Sequence, residues 1–194
     1  MDRSQLRPIF DWGRCQSCMV VSESWDALAP DPGPCPSCGE RGYGAEWPPE
    51  PARLLLRYAF LREADDQEEA AAQAYLVATA LDVMLAWVLR MAVDYLSSDN
   101  YDVARLIDRV REPGLSSKER LELLDYVADA DLRQVSSFKE VPEFPSRWKD
   151  LGERRDRFLH EQQQSAFEGL TEADLAETTR AAVAVMAHVN NMVW

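Results

Sequence analysis

Two groups of residues in this chain of 194 residues have types and spacings that could do chemistry. The first group is a pair of Cys-x-x-Cys motifs, Cys15 with Cys18 and Cys35 with Cys38, with sixteen residues between them. This spacing is typical of structural zinc sites, because each tight turn presents two thiolates to one tetrahedral ion. We therefore predict that the four cysteines bind a structural Zn²⁺.

The alternative for these motifs is a redox-active cysteine pair. Such a pair normally stands alone near a βαβ pattern, and no such pattern follows here. Gly39, directly after Cys38, also suits a metal-binding turn, since glycine permits positive φ. A segment this short has little core of its own, so metal binding is expected to supply its folding free energy.

The second group is the sequence RRDRFLH at residues 154–160. Asp156 and Arg157 precede His160 by four and three residues, so on a helix they share a face with the imidazole. Histidine exchanges protons near neutral pH, and an aspartate one turn earlier could orient its ring. A guanidinium offers a fixed fork of donors for a phosphate. This group therefore combines a residue that exchanges protons with residues that can bind a phosphate.

Arg155 does not share that face. Five residues at about 100° each place it roughly 140° around an ideal helix from His160. The two side chains converge only if the helix starts irregularly near Gly152 or if a second subunit completes the site. This geometry is a first indication of a dimer.

Composition limits the functions that these residues could serve. The net charge is −13, which argues against a general nucleic-acid coat protein, because phosphate contacts need cations. Residues 147–160 nevertheless carry five cations against three carboxylates, a local charge of +2 that could steer an anionic ligand. The first ten residues lack the apolar core of a signal peptide, so we expect a cytoplasmic protein with reduced thiols.

The elements that must position both groups fall into two predicted parts. Residues 1–47 are rich in Gly, Pro and Trp and form the predicted zinc ribbon, residues 48–51 a proline-rich linker, and residues 52–194 an all-helical domain. Residues 75–93 are apolar on nearly all sides, with Asp82 and Arg90 as charged exceptions. Those two charges argue against a membrane span and favour a helix buried in the core. A helix that is apolar on all sides must be covered on all sides, which predicts that part of it is buried between subunits.

Helical periodicity and capping residues place the other elements. We predict helices at about 52–63, 66–96 and 103–111, one that begins after Ser116 or Ser117, and one at about 147–164 that Ser146 caps. The apolar anchors of that last helix would be Trp148, Leu151, Phe158 and Leu159. Thr171 and Asp174 resemble a capping box for a final helix. Its predicted buried stripe consists of Leu175, Ala182, Met186, Val189 and Val193.

Arg155, followed by Asp156 and three residues later by His160, resembles the Arg-x4-His signature of the HEPN domains. In that family the position after the arginine is usually Asn, Asp or His, and Arg154-x5-His160 also fits a looser form of the signature. The resemblance spans roughly residues 52–194, where a long apolar helix comes early and the motif late. It implies a mainly α fold, a HEPN-like helical bundle preceded by a small zinc ribbon.

Members of this family are commonly metal-independent endoribonucleases that dimerise with their motifs facing each other. The resemblance implies that an RNA 2′-hydroxyl attacks the adjacent phosphorus while His160 transfers the proton and Arg155 stabilises the phosphoryl charge. Asp156 would orient the ring, and Arg154 and Arg157 would bind the RNA substrate. The implied partners are a second copy of the chain and an antitoxin or regulatory protein, in the setting of a toxin or an anti-phage defence effector.

Other functions stay open at this stage. The chain could be a non-catalytic HEPN-like module that binds a nucleotide or a protein, which its acidity favours. The charged residues around His160 could simply be a solvated helix face, and His188 fits a packed or surface histidine. A DNA-binding zinc ribbon is least supported, because residues 1–51 carry four arginines against eight carboxylates.

Overall fold

The computed structural model describes residues 7–23, 25, 31, 33–41, 44–60, 64, 66–96, 119, 120, 123 and 144–193. Its elements in chain order are α1 (Arg7–Phe10), β1 (Trp12–Cys15), β2 (Val21–Glu23), β3 (Gly44–Trp47), α2 (Glu50–Ala59), α3 (Gln67–Leu96), α4 (Phe144–His160), a 3-10 helix (Gln164–Phe167) and α5 (Glu172–Val193). The fold is therefore mainly helical with one small sheet, as predicted at this level. The helices predicted between 103 and 132 lie outside the described residues, except that 119, 120 and 123 are helical.

Helix α3 forms the centre of the core. Its buried side chains, which α2, α4 and α5 help to cover, include Val77, Leu81, Met84, Leu85 and Leu89. Among the helices of the described ranges, α3 alone is long and apolar enough to cross a membrane, with a mean hydropathy of 1.6 over Gln67–Met91. Of that stretch, 56% is buried inside the protein, as in the core helix of a globular fold. The absence of a membrane partner stays a prediction.

The three strands form an antiparallel sheet in the order β2-β1-β3, so β2 is an edge strand. Side chains from this part of the chain, including Ile9, Val21 and Trp47, lie in the same apolar core as α3 and α5. The indole Nε1 of Trp47 donates to the carbonyl of Val183 on α5 at 3.4 Å. The core is thus continuous across the predicted boundary between ribbon and helices.

The predicted linker, residues 48–51, is buried in its first half and exposed in its second half. Pro48 and Pro49 are buried, and Glu50 and Pro51 already belong to the first turn of α2. Proline is tolerated there because the first N–H groups of a helix have no partner within the helix. The chain therefore passes from sheet to helix inside the fold.

Helix α5 begins at the predicted capping box. The N–H of Asp174 donates to Oγ1 of Thr171, and the N–H of Thr171 donates to Oδ2 of Asp174, both at 3.1 Å. The hydroxyl of Thr171 also donates to Oδ2 of Asp174, at 2.6 Å. This hydrogen bond first, and then the one from the Thr171 N–H, lower the pKa of the Asp174 carboxyl; burial opposes them, and the charge of Arg147 lowers the pKa by a still smaller amount. The predicted stripe is confirmed for its four members with described side chains: Leu175, Ala182, Met186 and Val189.

Helix α4 differs from its prediction at both ends. It begins at Phe144, so Ser146 is its third residue and the prediction that Ser146 caps it is wrong. It ends at His160, because the chain turns back at Gln162, which has a φ of +53°. The prediction for Leu159 as an apolar anchor is also wrong: it is 47% exposed, since the last turn carries it beyond the packed face.

The other predicted anchors of α4 are in place. Trp148 and Leu151 are buried, and the ring of Phe158 packs between two other aromatic rings. Its centroid lies 5.8 Å from that of Tyr75 on α3 and 5.6 Å from that of Phe167 in the 3-10 helix. Aromatic contacts at this separation add to apolar burial. They fix the end of α4 that carries the motif against the rest of the fold.

Candidate metal site and candidate active site

The four predicted ligand cysteines come together in the structure. All four sulfur atoms lie within 4.8 Å of one another. The Cys15 and Cys38 sulfurs are 3.9 Å apart, and the Cys18 and Cys35 sulfurs are 3.8 Å apart. Four thiolates arranged tetrahedrally at about 2.3 Å from an ion would be separated by about 3.8 Å. The cluster could therefore hold one metal ion.

The two Cys-x-x-Cys turns, the first knuckle (residues 15–18) and the second knuckle (residues 35–38), share one backbone pattern. In each, the first cysteine donates its N–H to a carbonyl five residues later and its sulfur accepts the N–H two residues later. These bonds are Cys15 to Val20 and Cys35 to Glu40, both 3.0 Å, then Ser17 to Cys15 at 3.3 Å and Ser37 to Cys35 at 3.4 Å. The repeated pattern places the two thiol pairs in equivalent orientations.

The residue after each knuckle has a left-handed backbone. Gly39 has a φ of +73°, which confirms the sequence expectation. Met19 occupies the equivalent position after the first knuckle with a φ of +61°. A side chain disfavours this conformation, whereas glycine adopts it freely. The first knuckle therefore needs support that the second does not.

The thiols of the cluster differ in acidity. Burial raises the pKa of Cys15, but hydrogen bonds from the N–H groups of Cys18 and Ser17 and from neighbouring thiols outweigh it and lower the value to about 7. The N–H of Glu40 lowers the pKa of Cys38, but burial and the other three cysteines raise it to about 12. Metal binding requires the thiolate form of every ligand. A bound cation would therefore favour deprotonation of all four cysteines.

At the second group, α4 runs without interruption from Phe144 to His160, and Gly152 is buried in its middle. Of the two alternatives under which Arg155 and His160 could converge, an irregular helix start near Gly152 is therefore not found. In a single chain, Arg155 and His160 stay on different faces of the helix. Completion of the site by a second subunit stays a prediction.

The guanidinium of Arg155 lies between two carboxylates. Its Nη1 donates to Oδ2 of Asp82 on α3 at 2.5 Å, and its Nε and Nη2 donate to Oδ1 of Asp156 at 3.1 and 2.8 Å. Burial lowers the pKa of Arg155, but the hydrogen bonds and charges of these carboxylates outweigh burial and raise it. Oδ2 of Asp82 also accepts Nη1 of Arg120 at 3.2 Å. A four-membered charge cluster thus joins α3, α4 and Arg120.

Sequence reasoning missed Asp82 as a member of this site, although one signal was present. An aspartate in an otherwise apolar helix must find a cation or a hydrogen-bond donor if it is buried. Its side chain is 13% exposed. The arginine that binds Asp82 is 73 residues away in the sequence, on another helix. Helical periodicity does not predict which two helices pack together.

Asp156 does not orient His160. Its carboxylate pairs with Arg155, and no hydrogen bond or ion pair joins it to the imidazole. His160 is exposed at the last residue of α4 and makes no side-chain hydrogen bond with the described residues. The physical reason is that the guanidinium of the adjacent Arg155 offers this carboxylate two charge-assisted N–H donors. The predicted orienting contact is therefore absent from the described chain.

The two arginines predicted to bind substrate differ. Arg154 donates through Nε to Oδ2 of Asp150 at 2.6 Å and through Nη1 to the carbonyls of Ala166 and Glu168, both at 3.0 Å. Its guanidinium therefore holds the 3-10 helix and the following turn against α4. Arg157 reaches only a backbone carbonyl, at 3.4 Å, and pairs with no carboxylate of the described ranges. Of the two, Arg157 is the one left for an anionic ligand.

Comparisons of this chain with protein-family models, with curated proteins and with solved structures found no match. The HEPN resemblance therefore rests on the motif and on the helical architecture. The four-cysteine cluster is independent of that resemblance.

Proposed function

We propose that the protein is a HEPN-type endoribonuclease that acts as a homodimer and needs no catalytic metal. The observation that carries this proposal is the hydrogen bonding of the Arg155 guanidinium. Its described partners use three of its five N–H donors, which leaves two for a phosphoryl oxygen. A guanidinium that carboxylates have already oriented can stabilise developing charge without reorganising.

The chemistry follows from the side chains of the motif. The RNA 2′-oxygen forms a bond to phosphorus as the bond to the 5′-oxygen breaks. His160 takes the proton from the attacking hydroxyl, and the departing 5′-oxygen takes up a proton from water. Arg155 contacts the phosphoryl oxygens, and Arg157, three residues before His160, binds the chain of phosphates. The products are a 2′,3′-cyclic phosphate and a 5′-hydroxyl, and DNA, which has no 2′-hydroxyl, is not a substrate.

A dimer supplies the geometry that one chain lacks. Arg155 and His160 diverge on the uninterrupted α4, so Arg155 of one protomer would act with His160 of the other across a two-fold axis. Activity of this kind suits a toxin or an anti-phage effector that a regulatory protein controls. That setting comes from the family resemblance.

We propose further that the four-cysteine cluster binds structural Zn²⁺. Soft thiolates favour zinc, and the sulfur separations of 3.8 and 3.9 Å fit a tetrahedral ion. Four cysteines fill all four positions, so the ion would stabilise the fold and leave no position for a substrate. Metal analysis of the purified protein tests this: about one zinc per chain is expected, and its loss from a Cys18→Ser variant.

The ribonuclease is tested by cleavage of mixed RNA substrates in the presence of a chelator. His160→Ala is expected to lose about 100-fold or more of the rate, the range typical of general acid–base groups. Arg155→Lys keeps the charge but loses the fork of donors, so a large loss is expected there too. His188→Ala, which changes the other exposed histidine, is the matched control and keeps the rate. Equal cleavage by all four proteins contradicts the proposal.

A second function is supported by the same charge cluster. Arg155 and Arg120 carry two positive charges and Asp82 and Asp156 two negative ones, so the cluster is neutral and attracts a phosphate weakly. This favours a non-catalytic HEPN-like module that binds a nucleotide or a protein. A purified dimer that leaves RNA intact and binds a nucleotide or a co-purified protein tightly would establish this function.

A further inference from the structure

Two consecutive asparagines near the end of α5 form hydrogen bonds with the backbone just after the first knuckle. Nδ2 of Asn190 donates to the carbonyl of Met19 at 2.8 Å. Oδ1 of Asn191 accepts the N–H of Val21 at 2.7 Å, and its Nδ2 donates to the carbonyl of the same residue at 2.8 Å. These contacts bridge about 170 residues of sequence.

The contacts of Asn191 fall on the free edge of the sheet. Strand β2 pairs with β1 on one side only, and Val21 offers its N–H and its carbonyl on the other. One side-chain amide satisfies both groups, as an additional strand would. The helix end thus replaces a fourth strand at this edge.

The contact of Asn190 supports the unusual backbone of Met19. Asn190 is 3% exposed, and its buried amide binds the carbonyl of Met19, the residue whose φ is +61°. Nη2 of Arg14 also donates to the Met19 sulfur at 3.2 Å. The equivalent Gly39 needs no such support, because glycine adopts positive φ without a steric cost.

The hydrogen bonds of both asparagines act on the backbone next to Cys15, one of the predicted ligands. Val20 lies between Met19 and Val21, and its carbonyl accepts the N–H of Cys15 at 3.0 Å. With the residue on each side of Val20 held by α5, the position of that carbonyl is fixed, and with it the backbone of Cys15. The last helix therefore sets where the first thiol pair lies relative to the second.

We propose that Asn190 and Asn191 are positioning residues of the metal site. They act through the first knuckle and touch no sulfur, and without them the site binds metal more weakly. The inference rests on the proposed metal binding at the cysteines and is independent of ribonuclease activity. It also means that the site is a product of the whole fold and that residues 1–47 do not form it alone.

The test is a titration of the full chain with Co²⁺, which reports on tetrahedral thiolate coordination through its visible absorption, followed by competition with Zn²⁺ and a chromophoric chelator. Asn191→Ala removes both bonds to β2 at an exposed position, and Asn190→Leu removes the other amide while keeping the branched shape of the side chain. Groups that orient ligands typically contribute about 10- to 100-fold in metal affinity, and we expect a loss of this size in each variant. Metal release to the chelator should be faster, and the Co²⁺ bands should change in shape.

The matched control is Thr179→Val. Thr179 is equally buried on α5, but its hydroxyl donates only to Leu175 of the same helix, so this variant should bind metal as the unmodified chain does. Asn191→Asp keeps the acceptor for Val21 and places a second acceptor against the Val21 carbonyl, so it should bind at least as weakly as Asn191→Ala. Far-UV circular dichroism establishes that the helices of each variant are intact.

Three outcomes are decisive. Weaker binding in the asparagine variants alone supports the proposal. Unchanged affinity and spectra in folded asparagine variants overturn it, as does an equal loss in Thr179→Val, which would trace the effect to general stability. If the unmodified chain gives no thiolate–cobalt absorption, the metal site itself is wrong, and this result is distinguishable from the others.

Discussion

Oδ2 of Asp82 on α3 and Nη1 of Arg155 on α4 lie 2.5 Å apart, and both side chains are largely buried. This contact holds the face of α4 that carries Arg155 against α3. His160 lies about 140° further around the helix and is left in solvent. The ion pair therefore fixes the arginine of the motif, and the helix geometry keeps that arginine apart from the histidine within a single chain.

Asp82→Asn is expected to lower the free energy of unfolding by about 2 kcal/mol, because Arg155 and Arg120 lose a charged acceptor in a largely buried place. Urea unfolding followed by circular dichroism measures the change. The matched control is Glu153→Gln, which removes the carboxylate that pairs with Lys149 on an exposed face of α4, and there we expect a loss below about 1 kcal/mol. Similar losses in both variants would show that the buried cluster does not stabilise the fold more than a surface pair.

Metal removal is expected to destabilise the helices as well as the sheet. Val21 and Trp47 lie in the same core as α3 and α5, so a loosened sheet exposes apolar surface of the helices. Thermal unfolding after treatment with a chelator should show a lower midpoint for the helical circular dichroism signal. An unchanged helical midpoint in metal-free protein would mean that the two parts unfold independently.

Gly39→Ala is expected to cost about 1 to 2 kcal/mol of stability in the metal-bound protein, because alanine disfavours the left-handed φ of +73°. No atom lies within 4 Å of the new methyl group, so the cost is one of backbone conformation alone. Met19→Gly at the equivalent position relieves that conformation and should cost less than Gly39→Ala. Thermal midpoints of the two variants in excess Zn²⁺ compare them directly.

The capping box predicts a pH-dependent contribution. The folded pKa of Asp174 lies below its ordinary 3.8, so the carboxylate stabilises the fold in full above that value, and the contribution is lost as the pH falls through the lower folded pKa. Thr171→Ala should therefore destabilise by about 1 kcal/mol at pH 7 and by less below pH 3.8. Thr171→Ser keeps the hydroxyl and serves as the control. A difference that does not shrink in acid would show that the cap acts without the charge of Asp174.

Local patterns in the sequence predicted the features whose partners are near in the chain. The spacing of the cysteines predicted the sulfur cluster. The pair Thr171 and Asp174, three residues apart, predicted the start of α5. The errors at Ser146 and Leu159 concern the ends of α4. Capping and packing together decide where a helix ends, and helical periodicity does not predict that position. Asp82 and Asn190 were beyond sequence reasoning for another reason: each acts on a residue 73 or more positions away, and only the packing of helices decides which one.

The hydrogen bonds between Asn191 and β2 have a consequence for the order of folding during synthesis. The first knuckle leaves the ribosome about 170 residues before the amide that completes its edge, which at usual elongation rates is roughly 10 to 35 s. Throughout that interval β2 has an unpaired edge, and the thiols lack their final geometry. The ribbon therefore reaches its mature geometry only after α5 has been made, although its own residues are made well before α5.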